Sequence, residues 1–448
     1  MTTHHDDAAR DRDTSAPAGG DFTTDSTTHT RPAWRTIAAV NLGNVLEWFD
    51  WTIFATFSIY FSGHFFAGGD SVASLLSTLA VFAAGFLVRP LGGLVFGRIA
   101  DRRGRRFGLV LTMSLVALSS LLVAVGPTYE TIGVGAAFYL LFARCLQGFA
   151  HGGELGGAYT YLAEVASPRN RGFWGSTIVM STVGGALVAT LLAALMRSVL
   201  TREELVSWAW RIPFLVGALL GLLALYLRRS LAETETFYRS KGEASAPAPD
   251  ARVAPTVSYP MALFRVMMIV AATTLFNYVW SVSAPAYAIT FHGVNDQGAL
   301  WAGVVANAIG IVAIGFAGRL SDRWGRRRNV LLWAVGVIVL SFPLNAVLGP
   351  SSLTLLLAMT VALVLNAFGG SVQVAWFAEL FSTERRATGV GLAVSVSAAL
   401  FGGTAAYLNS WLSSIGLAHV FIVYSMVLAA LCGISAWFTP ETKGTVLR

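Results

Sequence analysis

Gly97-Arg98-Ile99-Ala100-Asp101-Arg102-Arg103-Gly104-Arg105-Arg106 is a short, strongly basic turn set between two long apolar runs. It returns 221 residues later as Gly318-Arg319-Leu320-Ser321-Asp322-Arg323-Trp324-Gly325-Arg326-Arg327, with seven of ten positions identical. Each copy occupies the same place in a half-chain of apolar segments, so the chain reads as a duplicated unit. A second echo agrees. Ala163-Glu164, Ser167 and Arg171 match Ala378-Glu379, Ser382 and Arg386 at a constant offset of 215.

Working outward from the turns, the 448 residues are 55% hydrophobic and only 12% charged, with a mean hydropathy of +0.63. Ordinary soluble domains are about one quarter charged, so this composition belongs to a polytopic membrane protein. A bilayer-spanning helix needs about 20 mostly apolar residues. Runs of that kind are centred near residues 50, 85, 116, 147, 185, 219, 278, 309, 339, 366, 401 and 428. The expected fold is therefore all-α, with twelve transmembrane helices in two six-helix bundles. The predicted boundaries are a disordered tail at 1–35, a first bundle at 36–228, a linker at 229–262, a second bundle at 263–438 and a short tail at 439–448. The linker opens with a charged piece that can form one short helix and continues into Ala246-Pro247-Ala248-Pro249. The polar N-terminal stretch has no signal-peptide character.

The net charge of +7 would suggest nucleic acid as a partner in a soluble protein, but these basic residues cluster in short loops between apolar segments. Twenty-six of the 31 Lys and Arg residues fall on one side of the expected topology. That bias puts both termini in the cytoplasm of a multi-pass protein of the cell's inner membrane. Cys145 and Cys432 lie in apolar runs and read as reduced core residues. No histidine has a ligand-spaced partner, so neither metal nor cofactor is expected, and no constellation suggests an enzyme. Gly-x-Gly patterns inside the spans lack the strand–turn–helix setting of a nucleotide site.

Ionisable groups at membrane depth are costly and mark function. The first half holds Glu47, Asp50, Arg89, Arg144 and Glu154, whereas the spans of the second half are nearly free of charge. Charge-dependent binding and proton coupling are thus expected in the first six helices. Glu47 and Asp50 stand three apart and are expected on one face with Asn44. Such a pair either carries a proton or pairs statically with Arg89 or Arg144. Arg144, Gln147, His151 and Glu154 form one helical stripe expected to line a central cavity. Arg144, like Arg89, offers a planar fork to a carboxylate, and the alternative for Arg144 is a bridge to Glu154 or Asp50. His151 is either a packing residue or a proton carrier. Gly148, Gly152 and Gly156 recur every four residues and read as close helix packing. In the second half Asn277, Tyr278, Trp280, Asn307, Asn366 and Gln373 are candidates for cavity contacts, with interhelical hydrogen bonding as the competing role. At the basic turns, Asp101 and Asp322 are expected to accept bonds from arginines or helix N-termini. With Arg102, Arg105, Arg323 and Arg326, and with Glu164 and Glu379 as partners, they would close the cytoplasmic side.

The G-x-x-x-D-R-x-G-R-R turn resembles the signature of the major facilitator superfamily. Gly43-Asn44-Val45-Leu46-Glu47-Trp48-Phe49-Asp50 resembles, more narrowly, the metabolite:proton symporter family. So do Arg144-Cys145-Leu146-Gln147-Gly148 with Gly152-Gly153-Glu154, Trp210-Arg211-Ile212-Pro213-Phe214, and Leu227-Arg228-Arg229-Ser230-Leu231. The likeness runs from about residue 36 to the C-terminus, without the linker. Tyr60–Phe66, Phe82–Pro90, Gly389–Leu392 and Phe401–Gly403 are similar to dicarboxylate carriers of that family. His151 departs from the family pattern, where a small or apolar residue is usual, and Leu155 stands where relatives often carry an aromatic one. The resemblance implies proton-coupled import of a small organic acid, a dicarboxylate such as 2-oxoglutarate, by a monomer working through alternating access. Uptake of a zwitterion such as betaine or proline, or proton-driven export of a small metabolite, remains open on the same resemblance.

Overall fold

The computed structural model describes residues 34–66, 70–103, 105–152, 159–160, 162–164, 166–229 and 257–447. The expected N-terminal tail and nearly all of the expected linker, with its short helix, lie outside the described residues. Within them the chain is helical almost throughout. In hydrocarbon every backbone N–H and C=O needs an internal partner, and a helix supplies one within a single segment.

The first half contains α1 (Trp34–Phe65), α2 (Ser71–Arg103), α3 (Arg105–Val125), α4 (Gly135–His151), α5 (Arg171–Val199) and α6 (Ile212–Arg229). The second half contains α7 (Tyr259–His292), α8 (Asp296–Trp324), α9 (Arg326–Val347) and α10 (Ser352–Leu380). It continues with α11, which runs from Thr383–Ser397 through a π-helical turn at Ala398–Gly402 into Gly403–Ser414, and α12 (Ala418–Phe438). The twelve segments among the described residues match the twelve apolar runs. Eight are long and apolar enough to cross a membrane by length and composition. Their outward side chains, Leu91, Phe138, Leu219, Val312 and Phe438 among them, are exposed apolar groups suited to lipid.

The halves meet along two long seams, α5 against α8 and α2 against α11, with α1 touching the far part of α7. Each half has its own interior. That of the first is aromatic, with Trp51, Phe54, Phe61, Phe82, Trp210 and Phe214 fully buried. The approach of α2 to α4 is set by glycine: a β-carbon at Gly148 would fall on the carbonyl oxygen of Gly85. Gly152 faces the Arg89 carbonyl in the same way, so the packing expected of Gly148 and Gly152 is present, while Gly156 lies outside the described residues. This backbone-to-backbone contact brings Arg89 of α2 and Arg144 of α4 into one layer.

The middle of α7 is a π-helical turn, Tyr278–Ser283, followed by Pro285. Pro285 has no N–H for the carbonyl of Ser281 four residues back. Asn307 of α8 supplies the donor instead, its Nδ2 reaching Ser281 O at 3.2 Å. Ser283 Oγ bonds the carbonyls of Tyr278 at 3.1 Å and Val279 at 3.2 Å. The extra residue of the π turn rotates the helix face locally.

Candidate functional site

The charges of the first half gather where α1, α2 and α4 meet. Arg89 Nη2 donates to Glu47 Oε1 at 2.6 Å, and both side chains are at most 5% exposed. His151 Nδ1 lies 3.6 Å from the same oxygen, and its ring stands 5.7 Å from that of Trp51. Arg144 donates to Gln147 one turn along α4. The Arg144 guanidinium sits among aromatic faces, 4.1 Å from the centre of Phe54, 4.5 Å from Trp51 and 5.5 Å from Phe82. Such faces attract a desolvated cation by about 0.5–2 kcal/mol each. Nε and Nη2 of Arg144 have no hydrogen-bond partner among the described residues, although the residue is only 1% exposed.

Asn44, Glu47 and Asp50 each bond a different helix. Asn44 Nδ2 bonds Ile178 O at 3.0 Å, Ser181 Oγ at 2.8 Å and Thr182 Oγ1 at 3.0 Å, all on α5. Glu47 turns to Arg89 of α2, and Asp50 accepts from Ser120 Oγ of α3 at 2.5 Å. Three residues along an α-helix turn about 300°, so each step walks about 60° round the axis and the three side chains fan out. Of the two roles expected for the carboxylates, the ion pair of Glu47 with Arg89 is the static pairing with an arginine. Asp50 sits inside the first bundle beside Gly217 of α6 and interacts electrostatically with Arg144. Glu154, at the end of the expected stripe, lies outside the described residues.

Among the described residues, the second half meets this cluster through the Tyr278 ring and through Gly403 of α11, which packs on Phe86. Tyr278, 1% exposed, packs 5.3 Å from Phe86, 5.5 Å from Trp48 and 6.3 Å from Phe82. The π turn of α7 presents it there. The other polar candidates of this half are bonded within it. Asn366 Nδ2 donates to Asn277 Oδ1 at 3.2 Å, Gln373 Nε2 to Thr273 Oγ1 at 2.9 Å, and Asn307 accepts from Ser281 Oγ at 2.7 Å. Trp280 lines a small cavity of about 20 Å³ between α7, α9, α11 and α12, with Phe276, Ser341, Asn345 and Asn409.

At the face that carries the basic turns, the halves are tied by reciprocal ion pairs. Arg171 Nη1 of the first half donates to Glu379 Oε1 of the second at 3.0 Å. Arg386 Nη1 of the second half donates to Glu164 Oε1 of the first at 2.7 Å. Each arginine also anchors on its own half by a matching bond, Arg171 Nε to Ala163 O at 3.0 Å and Arg386 Nε to Ala378 O at 2.9 Å. Arg326 of the second basic turn reaches Glu379 at 3.3 Å and Asp322 at 2.8 Å. Asp322 in turn accepts from the first amides of α5, Gly172 N at 2.8 Å and Phe173 N at 2.9 Å. A carboxylate on a helix N-terminus across the interface is the arrangement the repeated aspartate suggested. The side chain of Arg323 is exposed at this face. The side chains of Asp101, Arg102 and Arg105 lie outside the described residues.

Reading the sequence alone assigned Arg171 and Arg386 to topology, and the segment after α12 to a tail. The structure gives both larger parts. Residues 439–447 form a strap over the same face. Thr442 Oγ1 donates to Glu379 Oε2 at 2.5 Å, Thr445 O accepts from Arg171 at 2.9 Å, and the Glu441 carboxylate accepts from the Arg326 and Arg327 amides at 3.0 Å each. The offset of 215 was the signal that could have marked Arg171 and Arg386; nothing in the sequence pointed to the strap.

The opposite face is closed too. Asp296, the first residue of α8, accepts from Arg202 Nη1 at 2.6 and 2.7 Å. Arg197 Nε lies 4.0 Å away, and Tyr60 donates to the same carboxylate at 3.4 Å. Among the described residues, side-chain bridges therefore join the halves at both faces, with Tyr278 packed on the aromatic rings beside the charge layer between them.

The family described as "Sugar (and other) transporter" matches residues 36–252 and 252–448. The chain is 35% identical over 405 residues to the alpha-ketoglutarate permease of Escherichia coli (strain K12), covering 90% of this chain and 92% of that protein. It is 33% identical over 406 residues to the citrate-proton symporter of Salmonella typhi, covering 89% and 92%. It is 31% identical over 428 residues to the proline/betaine transporter of Escherichia coli (strain K12), covering 92% and 85%. Among solved structures, the major facilitator superfamily proton:xylose symporter XylE bound to 6-bromo-6-deoxy-D-glucose aligns with a TM-score of 0.74 at 19% identity, covering 92% of this chain and 97% of that one. The duplicated basic turns, the paired six-helix halves and these matches lead to one conclusion: the chain belongs to the sugar (and other) transporter family of the major facilitator superfamily, and is a multi-pass membrane transporter rather than an enzyme.

Proposed function

We propose that this transporter is a proton-coupled symporter that imports a small organic acid, a dicarboxylate such as 2-oxoglutarate, by rocking of its two halves about the charge layer. The observation that carries the reading is Arg144, a buried guanidinium held on aromatic faces with Nε and Nη2 unpaired among the described residues. Those two donors form one edge of the fork, the geometry that binds a carboxylate bidentately. Arg89 is the second cation, and Glu47 engages it. A proton on Glu47 removes that competitor and turns Arg89 toward a second carboxylate, so proton and acid enter together. His151 beside Glu47 is the relay, Asp50 tempers Arg144, and Glu154 adds a carboxylate at the end of the same stripe. Gln147 orients Arg144, and Tyr278 closes the site from the second half. Trp280, Asn277, Asn307, Asn366 and Gln373 hold the shape of the second half and add polar contacts when it opens. The Lys/Arg excess of the basic face supports a cytoplasmic position for it, with both termini on the cytoplasmic side of the cell's inner membrane. There Asp322, Arg326, Glu164 and Glu379, with Asp101, Arg102, Arg105 and Arg323 of the turns, form the inner gate. The transporter works as a monomer in the bilayer. The permease and citrate symporter among its relatives support the acid.

A second reading, uptake of a zwitterion, is favoured by the aromatic faces of Trp48, Trp51, Phe86 and Tyr278, which suit a quaternary ammonium group, and by the proline/betaine relative. The test is uptake of radiolabelled 2-oxoglutarate into right-side-out vesicles under an imposed inward proton gradient. Accumulation that collapses with a protonophore is the expected result. Gradient-driven uptake of betaine or proline without any of the acid would establish the second reading instead.

A further inference from the structure

The ion pairs at the face opposite the basic turns have not entered the mechanism so far. Arg197 lies in the last turn of α5, and Arg202 opens the short helix Arg202–Ser207 that follows. That helix is fixed by a capping box, in which Thr201 and Glu204 bond each other's backbone amides. The box occupies the Glu204 carboxylate and holds Arg202 over the seam with α8. Asp296, from the other half, is 6% exposed and takes Arg202, Arg197 and Tyr60 together. Asn295 caps α8 through the Gln297 and Gly298 amides, which fixes where Asp296 stands. Two neutral bonds run beside it across the same seam, from Gln297 Nε2 and Trp301 Nε1 to Ser198 Oγ, at 3.2 and 3.4 Å.

At this contact two guanidiniums of one half share a single carboxylate of the other. Opening the seam carries Asp296 away with α8 and leaves Arg197 and Arg202 on the first half. Arg197 is about three-quarters buried, and its Nε already lacks a hydrogen-bond partner among the described residues. Arg202 is half exposed, and parting from Asp296 forfeits the charge-assisted hydrogen bonds that hold the seam, so an anion that takes the place of Asp296 restores them and favours opening. A carboxylate on an incoming solute is chemically the same group.

We propose that Arg197 and Arg202 form an outer docking site for carboxylates, and that an incoming organic acid opens the outer side by displacing Asp296 from them. The proposal rests on the acid reading above. It differs from that reading in placing a first binding event outside the charge layer, about a helix length from Arg144.

The test uses the full-length chain with Cys145 and Cys432 replaced by Ser and a reporter at Thr190→Cys. Thr190 is 1% exposed, two turns below Arg197 on α5, and packs on Gly303 of α8. A membrane-impermeant thiol reagent added from outside reads the opening of the seam. Asp296→Asn is expected to raise the labelling rate several-fold without any acid present. In the parent chain 2-oxoglutarate is expected to raise it several-fold, while its uncharged dimethyl ester leaves it unchanged. The decisive arm is Arg144→Ala, which removes the charge-layer site. The response to 2-oxoglutarate should persist there and be lost in Arg197→Gln/Arg202→Gln. A response lost in Arg144→Ala overturns the docking site while supporting the acid reading. A response that persists in Arg144→Ala while no uptake is seen in the parent supports docking and removes the acid as cargo. Labelling in Asp296→Asn equal to that of the parent overturns the latch. Should single variants fail to fold, the swap Arg202→Asp/Asp296→Arg, made together with Arg197→Gln so that no cation faces the new arginine, restores the pair with its sign reversed. It should label slowly and lose the acid response; rapid labelling in the swap overturns the proposal.

Discussion

In the proposed mechanism Arg144 and Glu47 carry the chemistry, and their neighbours divide the work between them. Arg144 keeps one edge for the solute because Gln147 takes the other and aromatic rings cover its faces. Arg144→Ala should therefore abolish acid uptake; losing one partner of a buried charge pair costs about 2–5 kcal/mol, or roughly 30-fold to several thousand-fold in affinity. Equilibrium binding of labelled 2-oxoglutarate to purified protein checks this. Glu47→Gln keeps the size of the side chain and removes its charge. It should leave exchange of acid across the membrane intact while uptake no longer responds to a proton gradient, a separation that counterflow and gradient-driven assays on the same vesicles measure. These residues were legible in the sequence because a charge at membrane depth needs a reason to be there. The direction each one faces was not. Asp50 was grouped with Glu47 by spacing, yet a three-residue step turns it onto Ser120.

Among the elements, α7 shows most clearly where hydropathy stops being informative. Its apolar run fixed the existence of a span and its centre. The π turn at Tyr278–Ser283 depends instead on a proline, on Ser283 and on an asparagine from another helix, a partnership that no local pattern encodes. Asn307→Leu removes the donor that serves the Ser281 carbonyl and leaves that carbonyl buried without a partner. A loss of about 1–3 kcal/mol in stability is expected, read as a lower melting temperature in detergent. Tyr278 should lose its place against Phe86 at the same time, so uptake falls with stability. The twin basic turns were similarly half-legible. Repetition marked Asp322, whereas its ligands, the first amides of α5, lie 149 and 150 positions away in the chain.

For the molecule as a whole, the duplication has become a mechanical symmetry. Arg171 crosses to Glu379 and Arg386 crosses back to Glu164, each held to its own half by the same bond to a carbonyl eight residues earlier. Glu379 is the busiest partner, with two arginines and Thr442 on one buried carboxylate. Glu379→Gln should leave two buried guanidiniums short of charge and favour the inward-open form. The expected signature is faster labelling of a cysteine at Gly175, which packs against Val374 across the seam, by reagent added from the cytoplasmic side. Twelve helices, two halves and the sidedness of the charge follow from composition, because the bilayer imposes them on any sequence. Which ends clasp which is decided by contacts between residues some 200 positions apart, and composition does not carry that.

The strap of residues 439–447 adds an order in time. Both bundles precede it in the chain, so Thr442 and Thr445 are synthesised after the residues they bind, Glu379 and Arg171. Until then Glu379 and Arg171 have each other but not the strap. The fastening of this face therefore waits on residues made after both of the bundles it joins.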